Sequence, residues 1–130
     1  MPDPELSERL KRLLAATGEE VVAAYLFGSQ ARGTAGPRSD VDLGVLFREP
    51  PPAGLESFRL ESELELALRR PVQVVILNRA PADLVHRVLR DGQILLDRDR
   101  SARIRFEVRS RNEYFDLEPV RQRYRRAPPR

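Results

Sequence analysis

Leu26-Phe27-Gly28-Ser29-Gln30-Ala31-Arg32-Gly33 and, after a short linker, Ser39-Asp40-Val41-Asp42-Leu43 are the stretches that decide how this chain reads. Ahead of the first, Val21 to Phe27 is a nearly continuous apolar run, the pattern of a strand buried on both faces. The run stops at Gly28-Ser29, and ten residues separate Ser29 from Asp40. Val41 to Phe47 reads as a second strand, broken off by Pro50-Pro51-Pro52. Side chains alternate across a strand, so Asp40 and Asp42 are expected on one face and Val41 in the core on the other.

Working outward, Pro4 to Ala16 predicts a helix with Leu6, Leu10, Leu13 and Leu14 along one stripe, and Gly18 is a stop signal beyond it. Gln30 to Arg32 reads as the start of a short helix, and Gly33 to Pro37 as loop. Leu55 to Arg69 is helical, Val72 to Leu77 a third buried strand, Pro81 to Arg90 a helix, and Gln93 to Leu96 a short edge strand. A longer helix is expected from about Asp99 to Leu117, with Pro119 interrupting it. The order predicts an α+β fold: a small mixed sheet with helices mainly on one side. One domain over residues 1–118 and a basic, flexible tail over 119–130 are expected.

The last helix has two apolar faces. Ile104, Val108 and Phe115 lie on one, and Phe106 and Leu117 nearly opposite. One face can pack on the sheet, which leaves the other for another chain or for a loop of this one.

With 130 residues the chain is long enough for one core and too short for two. A hydrophobic content of 41% and a charged content of 33% fit a soluble globular protein. No run approaches a membrane span, and the N-terminus lacks the apolar stretch of a signal peptide. Zero cysteines exclude disulfides and thiolate metal sites and are compatible with a cytoplasmic location. The net charge of +3 is uneven: residues 98–130 carry eleven Arg against five acidic residues. That end reads either as a solvated helix face with a basic tail or as a surface for an acidic partner, protein or nucleic acid. Tyr124 is the one aromatic among the Arg residues of the tail, which argues weakly for RNA.

The chemistry follows from residue types. Two carboxylates held close repel each other unless a cation sits between them, and hard oxygen donors favour Mg²⁺ or Mn²⁺. Gly28 removes the Cβ that would block a phosphate, and Ser29 with the amides after it can donate to phosphate oxygens. Arg32 and Arg38 can neutralise a triphosphate. Alone, Gly-Ser is often just a turn and Asp-x-Asp a solvated edge; together, on consecutive strands, they point to a metal-bound nucleoside triphosphate.

The Gly28-Ser29-x10-Asp40-x-Asp42 pattern, in its fuller Gly-Ser-x-Ala-Arg-Gly and Ser-Asp-x-Asp-Leu form, closely resembles the DNA polymerase β-like nucleotidyltransferases. More narrowly, the chain is similar to the minimal nucleotidyltransferases (MNT), the MntA-like antitoxins paired with HEPN-domain toxins. The resemblance covers roughly residues 5–118 and includes Val75-Ile76-Leu77-Asn78-Arg79-Ala80-Pro81, Val88 to Gly92 and Arg105 to Leu117. It implies transfer of AMP from ATP to a tyrosine of a partner HEPN ribonuclease. In that scheme Asp40 and Asp42 are catalytic and hold metal, while Gly28 and Ser29 hold the β- and γ-phosphates.

The family pattern also has a third carboxylate on the next strand, and here Gln73 stands in its place. Glutamine offers a metal one neutral carbonyl oxygen and cannot act as a base. No Asp or Glu occurs between Arg69 and Ala82 to take over, and Glu61, Glu63 and Glu65 read as a solvated helix face. Two readings therefore stand: an adenylyltransferase antitoxin, or a weakened MNT that binds nucleotide and neutralises its partner by complex formation. A nucleic-acid-binding module is a third reading, and a small-molecule nucleotidyltransferase lacks the second domain its acceptor needs. His86, Tyr25 and Tyr114 are expected to be packing or surface residues.

Overall fold

The computed structural model describes residues 3–17, 20–28, 40–51 and 55–126, with side chains at 58–116 in the last of these stretches. In chain order the described elements are α1 (Pro4–Ala15), β1 (Val21–Phe27), β2 (Val41–Phe47), α2 (Leu55–Leu68), β3 (Val72–Ile76), a 3₁₀ turn (Leu77–Arg79), α3 (Ala82–Asp91), β4 (Gln93–Asp97) and α4 (Arg100–Arg126). The expected helix at Gln30–Arg32, the loop at Gly33–Pro37, Gly18 and residues 127–130 lie outside the described residues.

The sheet order is β3-β2-β1-β4. β1 pairs antiparallel with both β2 and β4, and β2 pairs parallel with β3, so the sheet is mixed as expected. Central position explains the unbroken apolar run of β1 and the apolar run of β2 after Asp42, whose residues have no solvent face to serve. Both faces are covered. Leu6, Leu10 and Leu14 of α1 and Leu60, Leu64 and Leu68 of α2 pack on one face with Val41, Leu43 and Val45. Val85 and Val88 of α3 and Phe106 of α4 pack on the other with Val22, Tyr25 and Leu46. The expectation of helices mainly on one side is thus corrected to two of the described helices on each face. Element order does not reveal which face a connection crosses to, and a doubly buried strand has no polar face to mark it.

Polar side chains finish the elements. Asp3 caps α1, accepting from the amides of Glu5 and Leu6 at 3.0 and 3.4 Å, with Pro4 opening the helix. At its other end Arg98, in the turn after β4, donates to the carbonyls of Ala15 and Thr17 at 2.8 and 3.1 Å. Asn78 closes β2 by pairing with both the amide and the carbonyl of Phe47, at 2.9 and 2.8 Å. α4 continues to Arg126 rather than stopping at Pro119; a proline inside a helix costs one N–H bond and strains the turn before it but need not end the helix.

α2 ends on Arg69, which holds a left-handed φ of 56° that glycine adopts with less strain. Arg69→Gly is expected to raise stability by about 0.5–1 kcal/mol. Urea denaturation of the two proteins checks this, and a lower midpoint for the variant would refute it.

Candidate nucleotide site

β1 ends where the site begins. Gly28 follows it with φ +73°, a backbone conformation that L side chains rarely adopt. A Cβ built on Gly28 would lie 2.5 Å from the Asp42 Oδ2 atom, so the glycine also lets the carboxylate lie against the turn. Asp42 is the second residue of β2 and is half-buried. Val41 before it is fully buried among the α1 and α2 side chains, so alternation turns Asp42 to the α3 and α4 face. Asp40 stands exposed just ahead of the strand, two residues from Asp42 and so on its side of the chain.

Sheet register places the neighbours. Asp42 pairs with Phe27 on one side and with Gln73 on the other. Gln73 is exposed and adjoins Asp42 on the same face of the parallel pair. No group of three or more His, Cys, Asp or Glu positioned to hold a metal occurs among the described residues. Ser29, Arg32 and Arg38 lie outside the described residues.

The glutamates of α2 have a structural task that their sequence does not announce. β3 is an edge strand whose outward amides lack a strand partner. Glu65 accepts from the Val72 amide at 2.9 Å, and Glu61 from the Val74 amide at 2.8 Å. Their carboxylates therefore cover the sheet edge and are not presented beside Gln73. The reading of these residues as a merely solvated face is corrected for Glu61 and Glu65, while Glu63 pairs with Arg59 on the surface.

A second network ties α4 to the strand that leads into the site. The buried Tyr25 hydroxyl donates to Glu107 at 3.1 Å, and Glu107 also pairs with Arg103 at 3.0 Å. Arg103 reaches Asp97 of β4 at 2.9 Å as well. Burial, reinforced by the Glu107 charge, raises the Tyr25 pKa, which keeps the hydroxyl neutral and a donor. The Arg103–Glu107 spacing was legible as a helical pair. Its tie to Tyr25, 82 positions away from Glu107, had no local signal. His86 stacks on Tyr114 with ring centroids 3.7 Å apart, so both are packing residues between α3 and α4, as expected.

Gly28→Ala tests the close approach. The added methyl must displace the Asp42 carboxylate and occupy a strained φ, so a stability loss of about 1–2 kcal/mol is expected. A thermal melt unchanged from wild type would contradict it.

A left-handed turn thus lies against the Asp42 carboxylate at the end of a mixed sheet covered on both faces, with Asp40 just ahead of the same strand. The family model described as polymerase β nucleotidyltransferase matches residues 8–101, and the chain belongs to that family. It is 30% identical over 104 residues to a candidate protein adenylyltransferase of Methanocaldococcus jannaschii, covering 72% of this chain and 71% of that one. Among solved structures it is similar to a toxin–antitoxin crystal structure with AMP-PNP, at a TM-score of 0.79 and 27% identity, covering 91% of this chain and 94% of that one. It shares the fold of a chain in the complex of a tri-AMPylated HEPN toxin with an MNT antitoxin from Shewanella oneidensis, at a TM-score of 0.73 and 24% identity, covering 91% of each.

Proposed function

We propose that this protein is an antitoxin that binds ATP with a divalent cation and transfers AMP to a tyrosine of a partner HEPN ribonuclease. The observation that carries the reading is the packing of Gly28 against Asp42, which sets a phosphate-accepting turn beside a carboxylate at one sheet end. Similarity to a candidate protein adenylyltransferase and to a toxin–antitoxin structure with AMP-PNP supports it. The pair Asp40 and Asp42 fits a hard cation, because two carboxylates two residues apart at the start of β2 repel each other unless a positive charge lies between them. We place Mg²⁺ or Mn²⁺ there, where it would neutralise the triphosphate and stabilise charge on the departing pyrophosphate.

The residues have separate tasks in this reading. Gly28 and Ser29 receive the β- and γ-phosphates, and Arg32 and Arg38 offset their charge. Asp40 and Asp42 would hold the cation, whose positive charge would draw in the α-phosphate for the incoming hydroxyl. The tyrosine oxygen bonds to the α-phosphorus as the α–β bridging bond breaks, and pyrophosphate leaves with the electron pair. The tyrosine proton passes to solvent, because Gln73 is not a base. Residues 1–118 form the catalytic domain and 119–130 a basic extension in this account. No described helix is long and apolar enough to cross a membrane, and we place the protein in the cytoplasm, beside its ribonuclease partner.

Gln73 beside Asp42 favours a second reading, in which the protein holds nucleotide but neutralises its partner by binding. Transfer from α-labelled ATP to the co-expressed partner, with Mg²⁺ and with chelator, separates the two. Metal-dependent label on the partner supports the transferase. A stable complex with no label supports neutralisation by binding.

A further inference from the structure

α4 presents the two apolar faces read from its sequence, and the structure shows which one is used. Phe106 is only 6% exposed and packs on the sheet, whereas Ile104, Val108 and Phe115 are 40%, 48% and 61% exposed. These three recur at helical spacing along one outward stripe. A shallow groove of about 680 Å³ follows the same face, lined by Ile104, Val108 and Asn112 with Arg105 and Arg109 towards one end and Glu113 and Asp116 towards the other. None of these four charged residues forms a salt bridge among the described residues.

We infer that this face pairs antiparallel with the same face of a second copy of the chain. The charge order carries the inference. A basic half followed by an acidic half along an apolar stripe is self-complementary when the helix is turned end for end about a twofold axis. With the axis near Ser110 and Arg111, Arg105 of one copy falls opposite Asp116 of the other, and Arg109 falls opposite Asn112 and Glu113. Ile104 of one copy then comes within a turn of Phe115 of the other, once on each side of the axis. In a parallel pairing like charges meet instead, which costs association. One helix face is smaller than the roughly 800 Å² per partner of a stable complex, so the dimer is weak, with a Kd on the order of 10–100 μM. The inference does not rest on the proposed AMP transfer, and either can fail without the other.

Sedimentation velocity of the full chain, without partner, over about 5–300 μM spans that Kd range and tests it. Wild-type protein should pass from monomer to dimer. Arg105→Asp and Asp116→Arg should each weaken self-association by about 10-fold or more, because each sets like charges opposite one another twice. Circular dichroism matching wild type shows that the variants are folded. Mixing the two variants should restore association, since both opposed pairs then become attractive. A wild type that stays monomeric, single variants that dimerise as well as wild type, or a mixture that fails to associate would each overturn the inference. So would a monomeric wild type whose variants lose a co-purified partner protein, an outcome that assigns the stripe to that partner.

Discussion

Asp42→Asn is expected to leave the fold intact and to slow AMP transfer by about 10²–10⁴-fold. The substitution keeps the shape of the side chain and removes its charge. Asp42 lies between Phe27 and Gln73 in the sheet, with Gly28 against its carboxylate, so an isosteric amide fits the same space. What is lost is one of the two anionic oxygen donors that a divalent cation requires. Asp40→Asn should behave similarly, and its exposed position ahead of β2 separates the effect from folding. The measurement is a single-turnover rate of label transfer from α-labelled ATP to the partner, alongside a thermal melt. Rates within about tenfold of wild type for both variants, in stable proteins, would remove these carboxylates from the chemistry.

Gln73→Asp carries the opposite expectation, a gain of about 10²–10⁴-fold in transfer rate. Register puts this side chain directly beside Asp42 on the parallel strand, where a carboxylate joins the other two and adds both charge and a base. The variant has a second signature that needs no acceptor. Without a divalent cation, like charges on adjacent strands should cost about 0.2–1 kcal/mol. Mg²⁺ should then raise the melting temperature of the variant more than that of wild type, since a ligand stabilises the state that binds it. A variant no faster than wild type, with no added response to Mg²⁺, would mean that position 73 lies outside the metal's reach.

The site was legible in sequence to the extent that it is local. Gly28 and the Asp-x-Asp pair sit at strand ends that the apolar runs marked, and alternation put Val41 in the core. Gln73 was singled out through the family pattern and a strand prediction, and the register pairs it with Asp42. The α2 glutamates were misread because their partners are backbone amides of β3, and an amide has no sequence identity to recognise. Tyr25 was taken as a packing residue, which its burial supports, but its hydroxyl also closes a charged network through Glu107.

The chain alone therefore determined the order of the described elements and marked β1 as central, because periodicity and turn residues act over a few neighbouring positions, but it read β3, a sheet edge, as another buried strand. Tertiary structure decided the rest: which helices cover which face of the sheet, which carboxylates are engaged with the β3 edge, and which of the two apolar faces of α4 is buried. Those outcomes depend on contacts between residues far apart in the chain, and the same hydrophobic stripe reads identically whether it meets the sheet or solvent. Ile104 and Phe106 are both apolar and two positions apart; only the placement of the sheet buries one and exposes the other.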